Sequence, residues 1–126
     1  MKVAVLGASP NPDRYSHQAV RMLKEAGHEV YPVHPVVAEI DGVPVFKTLR
    51  DIPEPVHTIT VYVAPERSAA LGEEILGLGA KRVIFNPGAE NPELAARLEA
   101  AGTRVKNACT LVMLRTSRFD VEAGKG

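Results

Sequence analysis

The stretch VAVLGASPNPDRYS (residues 3–16) decides the fold. An almost continuously apolar run ends at Gly7, turn residues follow, and a helical pattern begins near Arg14. Strand, turn and helix in that order open a nucleotide-binding α/β unit. A dinucleotide fingerprint, G-x-G-x-x-G, would place three spaced glycines here, and only Gly7 is present, so the NAD signature is missing. An apolar run without alternation is what a central parallel strand, covered on both faces, requires.

Further along the chain the apolar period keeps switching. HEVYPV (28–33), TITVYV (58–63), RVIF (82–85) and TRVK (103–106) are short, β-branched and bounded by turn residues, which predicts strands. Between them lie helical spacings: Ala19, Val20, Leu23 and Ala26 before Gly27; Leu71, Ile75 and Leu78 before Gly79; Leu94, Leu98 and Ala101 before Gly102. Asn91 is placed to cap the last of these helices, and Pro92 suits its first turn. Strands alternating with helices predict a Rossmann-like, doubly wound parallel sheet of about five strands with right-handed crossovers. The segment 37–55, VAEIDGVPVFKTLRDIPEP, breaks the alternation. Asp41-Gly42 signals a turn, and Thr48 with Asp51 resembles a capping box on a helical turn. We expect a loop, a short strand and a helical turn in place of a crossover helix. Residues 1–126 are expected to form one domain, with the polar, glycine-bearing tail 117–126 flexible.

Composition narrows the function classes. Fifteen Lys and Arg balance fifteen Asp and Glu, so the chain lacks the basic footprint of nucleic-acid binding. No apolar run approaches the roughly 20 residues of a membrane helix. The short apolar stretch in MKVAVLG does not suit a secretory signal. A single cysteine, Cys109, excludes an intrachain disulfide and fits a reducing interior. The expected location is the cytoplasm.

In an open parallel sheet, ligands bind beyond the carboxyl ends of the strands, where strand order reverses. Four loops are nominated: 7–16, 32–37, 63–68 and 86–92, each rich in proline, glycine or small polar residues. In the first, Gly7 permits close backbone approach, and the helix start beyond it presents unpaired N–H groups to an anion. Ser9, Asn11 and Ser16 add donors, and Arg14 supplies a charge suited to phosphate oxygens. In the second, the strand ends Tyr31-Pro32-Val33-His34-Pro35, with no carboxylate for a ribose 2′-hydroxyl. A carboxylate would repel a phosphorylated ribose, whereas a neutral or cationic imidazole tolerates one. This disfavours NAD and leaves NADP and coenzyme A open. In the third loop, Pro65 beside Val63 makes a flat apolar platform for adenine as well as a rigid helix start. Arg67 in the first turn opposes the helix dipole, as it would beside an anion. In the fourth, Gly88 allows close approach, and Asn86 offers a donor and an acceptor. Each loop also reads as a plain turn.

Taken in order, VAVLGASPNPDRYS, YPVHP, GVPVFKTLRDIPEPV, VAPE, NPGAEN and NACTLVML resemble the small CoA-binding-domain family, related to the N-terminal domain of the succinyl-CoA synthetase alpha subunit. The resemblance covers residues 3–114. It implies a Rossmann-like fold with coenzyme A across the strand ends. By position, Gly7, Ala8 and Ser9 would line the phosphate turn, with Arg14 and Ser16 close to phosphates. Val33 and His34 would flank the adenosine ribose or its 3′-phosphate. Val63, Ala64 and Pro65 would pack the adenine, and Asn86, Pro87 and Gly88 would lie nearer the pantetheine arm. Many relatives carry asparagine where His34 stands.

The same resemblance implies binding without catalysis, because the synthetase's phosphate-carrying histidine belongs to a second domain with no counterpart here. His17, His28 and His57 form no metal spacing, and no Ser-His-Asp or Cys-His arrangement is suggested. Cys109 reads either as a small buried residue or as a thiol able to meet the CoA thiol in a mixed disulfide. Leu111, Met113 and Leu114 suit a core or a dimer face. The leading expectation is a CoA or acyl-CoA binder acting as carrier, sensor or partner subunit, with a second copy or another protein as the open partner. The alternatives are an oxidoreductase module using NADP and a purely interacting subunit.

Overall fold

The computed structural model describes residues 1–123. Its centre is a five-stranded parallel sheet in the order β2-β1-β5-β6-β7. These strands are β1 (Lys2–Leu6), β2 (Glu29–Val33), β5 (Thr58–Val61), β6 (Arg82–Phe85) and β7 (Arg104–Asn107). The helices are α1 (Tyr15–Glu25), α2 (Pro65–Ala70), α3 (Gly72–Gly77), α4 (Pro92–Ala100), α5 (Thr110–Arg115) and α6 (Arg118–Ala123). A separate two-stranded piece, β3 (Glu39–Ile40) and β4 (Val43–Pro44), precedes a 3-10 turn at Leu49–Asp51. The chain is thus an α/β domain with the expected Rossmann-like parallel sheet.

Side-chain alternation explains the two helical layers. Val3 and Val5 of β1 and Ile84 of β6 face Val20 and Leu23 of α1, Met113 of α5 and Phe119 of α6. Ala4, Leu6, Val83 and Phe85 face the other way, into a layer with Ile75 of α3 and Leu94 and Leu98 of α4. Because strand side chains alternate in direction, an unbroken apolar strand feeds both layers at once. The helix–glycine–strand exits of the sequence also acquire a cause. At the end of α1, Gly27 N donates to Lys24 O and His28 N to Leu23 O; at the end of α4, Gly102 N donates to Glu99 O and Thr103 N to Leu98 O. Both are Schellman closures, which satisfy the last carbonyls while turning the chain into the next strand. Asn91 caps α4 as expected, its side-chain oxygen accepting from Leu94 N at 3.1 Å.

Four expectations need correction. Ala26 and Ala101 leave the apolar faces of α1 and α4 and are exposed at their C-caps. The helix predicted from Pro65 to Leu78 is two helices, because Leu71 (φ −97°, ψ 9°) leaves the helical region. At the break, Gly72 lets the Arg97 guanidinium of α4 come close, a Cβ there lying 3.2 Å from Nη1. Thr48 flanks the 3-10 turn in extended conformation without a side-chain cap, so no capping box forms. Finally, residues 118–123 are helical rather than a loose tail, and positions 124–126 lie outside the described residues. Phe119 anchors α6: it is 2% exposed, and burying such a ring contributes about 1.5–3 kcal/mol. Arg82 stacks over that ring at 4.4 Å and donates from Nη1 to Phe119 O at 3.0 Å.

The segment 37–55 does more than replace a helix. Asp41 and Gly42 both have positive φ (51° and 76°), the signature of the type I′ hairpin that Asp-Gly favours. Beyond the hairpin, Phe46 N donates to Pro32 O and His34 N to Phe46 O, so the returning chain extends the sheet beside the end of β2. That placement carries residues 47–49 to the carboxyl edge.

Candidate functional site: a cavity at the strand-order reversal

Beyond the carboxyl ends of β2, β1 and β5 lies a cavity of about 780 Å³, within the range of small-molecule sites. Connections leave β1 and β5 toward opposite faces of the sheet, and this divergence opens the crevice. Its floor is set by Gly7, whose φ of +88° lies in the left-handed region. A Cβ at this position would stand 2.7 Å from Val63 Cγ1, so the turn and the end of β5 can approach this closely only with glycine.

The loop after Gly7 is held by its own polar groups. His17 donates from Nδ1 to Ser9 O at 2.9 Å, Asn11 N donates to Ser9 Oγ, and Asp13 N donates to Asn11 Oδ1. Ser9 Oγ accepts in that arrangement and keeps its hydrogen for another partner. At the helix start, the amides of His17 and Gln18 both return to Arg14 O. The amides of Tyr15 and Ser16 belong to the group that a helix N-terminus leaves unpaired, and both residues line the cavity. Arg14 flanks α1 in extended conformation and stands in the same wall.

Of the predicted residues, Gly7, Ala8, Ser9, Arg14, Ser16, Val33, His34, Val63 and Ala64 all border this cavity. Pro65 does not; it forms the first turn of α2 just behind Ala64. Asn86, Pro87 and Gly88 are also outside its lining. Asn86 is 2% exposed and fully engaged: Nδ2 donates to Thr60 Oγ1 (2.7 Å) and Val61 O (2.9 Å), while Oδ1 accepts from Thr110 N (2.8 Å). Gly88 N donates to Glu90 Oε1, so the backbone expected to approach a ligand is engaged locally.

His34 plays a narrower part than its residue type implies. Its Nδ1 accepts from Val36 N at 3.0 Å and Val37 N at 3.2 Å. With Nδ1 accepting from these two amides, the ring's N–H donor position is Nε2. An asparagine oxygen makes the same kind of turn.

Positive charge comes instead from Arg14, Arg67 and Lys47, all in the wall. Lys47, Thr48 and Leu49 escaped the sequence reading, since only the pairing of Phe46 with β2 brings them here. Tyr62, after the end of β5, and Leu71 and Glu74, at the α2–α3 junction and in α3, were missed as well, although Arg67 had a local signal in its unfavourable helix position. Tyr62 has a buried hydroxyl near Thr60 and Thr110 but outside hydrogen-bond geometry with them. Burial, reinforced by the neighbouring Cys109, pushes this phenol well above its usual range, so it remains protonated. Cys109 is partly buried ahead of α5 and is not part of the cavity lining. Among the described residues no group of three His, Cys, Asp or Glu could hold a metal ion, and no helix is long and apolar enough to cross a membrane.

The geometry can therefore accept an anion on hydroxyls, amides and cations at one wall and an apolar ring at another. Comparisons with known proteins agree with this chemistry. Over 104 residues the chain is 32% identical to the uncharacterized protein YneT of Bacillus subtilis, covering 82% of this chain and 77% of that one. It is 35% identical over 66 residues to the alpha subunit of acetate–CoA ligase [ADP-forming] II of Pyrococcus furiosus, which is 52% of this chain but 14% of the ligase subunit. The crystal structure of an uncharacterized protein superposes with a TM-score of 0.88 at 41% identity, covering 94% of this chain and 97% of that one. The family model described as CoA binding domain matches residues 1–115, and on that match the chain belongs to the CoA-binding-domain family.

Proposed function

We propose that the protein binds coenzyme A or an acyl-CoA in the cavity at the strand-order reversal and performs no chemistry on it. The observation that carries this reading is the Gly7 turn. It brings the Ser9 hydroxyl, the first amides of α1 and the Arg14 guanidinium to one wall of a cavity large enough for a nucleotide. A diphosphate suits that wall, since amides at a helix N-terminus and an arginine fork both favour phosphate oxygens. Val63 and Ala64, with Leu71 beyond them, offer the apolar surface for adenine. His34 Nε2–H and Lys47 stand where a ribose and its 3′-phosphate would lie, and no carboxylate at the end of β2 repels that phosphate. The wall groups are binding groups, with no nucleophile and base paired within the cavity. The ligase subunit named above acts on CoA as part of a much longer chain; a carrier, sensor or partner-subunit role for this domain fits that relation.

Equilibrium binding by calorimetry to CoA, acetyl-CoA, dephospho-CoA, NADP and NAD tests the reading. CoA is expected to bind more tightly than dephospho-CoA and NAD, with acetyl-CoA recovered unchanged. A flat titration with CoA would overturn it, and preferential binding of NADP would replace it with the oxidoreductase alternative.

A further inference from the structure

One group in the cavity wall is at odds with a polyanionic ligand. Glu74, on α3, lines the cavity, and its side chain is only 13% exposed. The other acid of the wall, Asp13, is exposed to solvent. Glu74 has a cation partner in Arg50, whose Nη2 lies 3.3 Å from Oε2, but that arginine is 77% exposed and sits on the outside of the pair. A largely buried carboxylate beside phosphates would weaken their binding, so this part of the wall is not built for them. Position in the fold says the same. The Gly7 turn and Arg14 lead into α1 on one face of the sheet, whereas Glu74 belongs to α3 on the opposite face, against the 3-10 turn. The same side of the cavity carries apolar surface: Leu49 and Leu71 belong to the same packed cluster as Val63. A flat ring fits such walls, and an acceptor at their end calls for a ring that carries an N–H donor.

We infer that Glu74 selects the nucleotide base, its carboxylate accepting a hydrogen bond from the exocyclic amino group of adenine. The inference rests on the CoA reading and orients the ligand within it: phosphates over the Gly7 turn, base between Val63 and Leu71, amino group at Glu74. Glu74 is thus a specificity-determining residue, and Arg50 a positioning residue that holds the carboxylate from outside.

The test compares CoA with 1,N6-etheno-CoA, in which the bridging ring removes both hydrogens from the exocyclic nitrogen. The wild-type protein is expected to bind CoA at least about tenfold more tightly than the etheno derivative, as a hydrogen bond to a charged group warrants. Glu74→Ala is expected to erase that ratio by weakening CoA selectively, and Glu74→Gln, which keeps an acceptor oxygen, to retain part of it. Arg50→Ala is expected to lower the ratio in part, less than Glu74→Ala does. Equal wild-type affinity for the two ligands would overturn the role of Glu74 while leaving CoA binding intact, as would an equal loss for both ligands in Glu74→Ala. Absence of any CoA binding by the wild type would instead overturn the CoA reading, and this inference with it.

Discussion

The carboxyl edge of the sheet has two halves built from similar sequence and put to opposite uses. Over β2, β1 and β5, the turn at Gly7 leaves a cavity bordered by amides, hydroxyls and cations. Over β6 and β7, the turn at Asn86-Pro87-Gly88 is closed by protein groups: Asn86 bonds to Thr60, Val61 and Thr110, and Gly88 N donates to Glu90. Both turns contain a glycine with positive φ, +88° at Gly7 and +91° at Gly88. They differ in what surrounds the glycine. A side chain at Gly7 would meet Val63, whereas one at Gly88 would meet nothing within 4 Å. A glycine turn therefore marks a binding site only where the backbone must also approach a neighbour, and strand order decides where that happens.

The largest expected effect separates the halves by stability. Asn86→Ala strips partners from buried Thr60, Thr110 N and Val61 O and is expected to cost about 2–4 kcal/mol, since buried polar groups left unpaired are expensive. Urea unfolding measures this, and CoA affinity of the folded protein should stay within about twofold. A large loss of affinity without loss of stability would place Asn86 in the site and dissolve the contrast.

Next comes the glycine pair. Both Gly7→Ala and Gly88→Ala place a Cβ at positive φ, a strain of about 1–2 kcal/mol. Gly7→Ala adds the collision with Val63 and is expected to abolish measurable CoA binding by displacing the turn, whereas Gly88→Ala should leave binding unchanged. Calorimetry with both variants sharpens the comparison; equal behaviour would remove it. A smaller effect is expected from Arg14→Ala, which deletes a charge from the open half. CoA affinity should fall by about 10- to 100-fold, the range for a charged hydrogen bond, with unfolding midpoints unchanged. No change in affinity would move the phosphates away from α1.

The smallest effect concerns the opposite, amino-terminal edge. Burial holds His28 and His57 below the usual imidazole range, aided by the N-terminal amino group at His28 and by Arg82 at His57. Asp120, 3.0 Å from His28 Nε2, opposes the shift only in part. With folded pKa values depressed below 6.5, the unfolded chain binds more protons in mildly acidic solution. The stabilisation is complete above that value and declines as pH falls below it. Urea midpoints should therefore drop between about pH 7.5 and about pH 5.5, and His57→Gln should shallow the decline. A pH-independent midpoint would refute the assignment.

Much of the fold was legible because its signals are local. β1 is apolar from Val3 to Leu6 since both its faces are covered, and the exits at Gly27 and Gly102 follow from hydrogen bonds spanning five residues or fewer. Asp41-Gly42 likewise announced its hairpin. The break at Leu71 was not legible, because its setting includes an arginine from α4. Nor was α6, whose place depends on the ring of Phe119 meeting Arg82 from another strand.

For the site, the sequence by itself determined the chemistry of the Gly7 turn, the absence of a ribose-binding acid after β2, and the choice of edge, since each depends on neighbours within one loop. Only the tertiary structure decided that Asn86 is consumed in closing the sheet and that Lys47 and Glu74 enter the wall. Those outcomes depend on which donors and acceptors meet across strands far apart in the chain, and a linear pattern carries the polarity of a residue but not the identity of its partner.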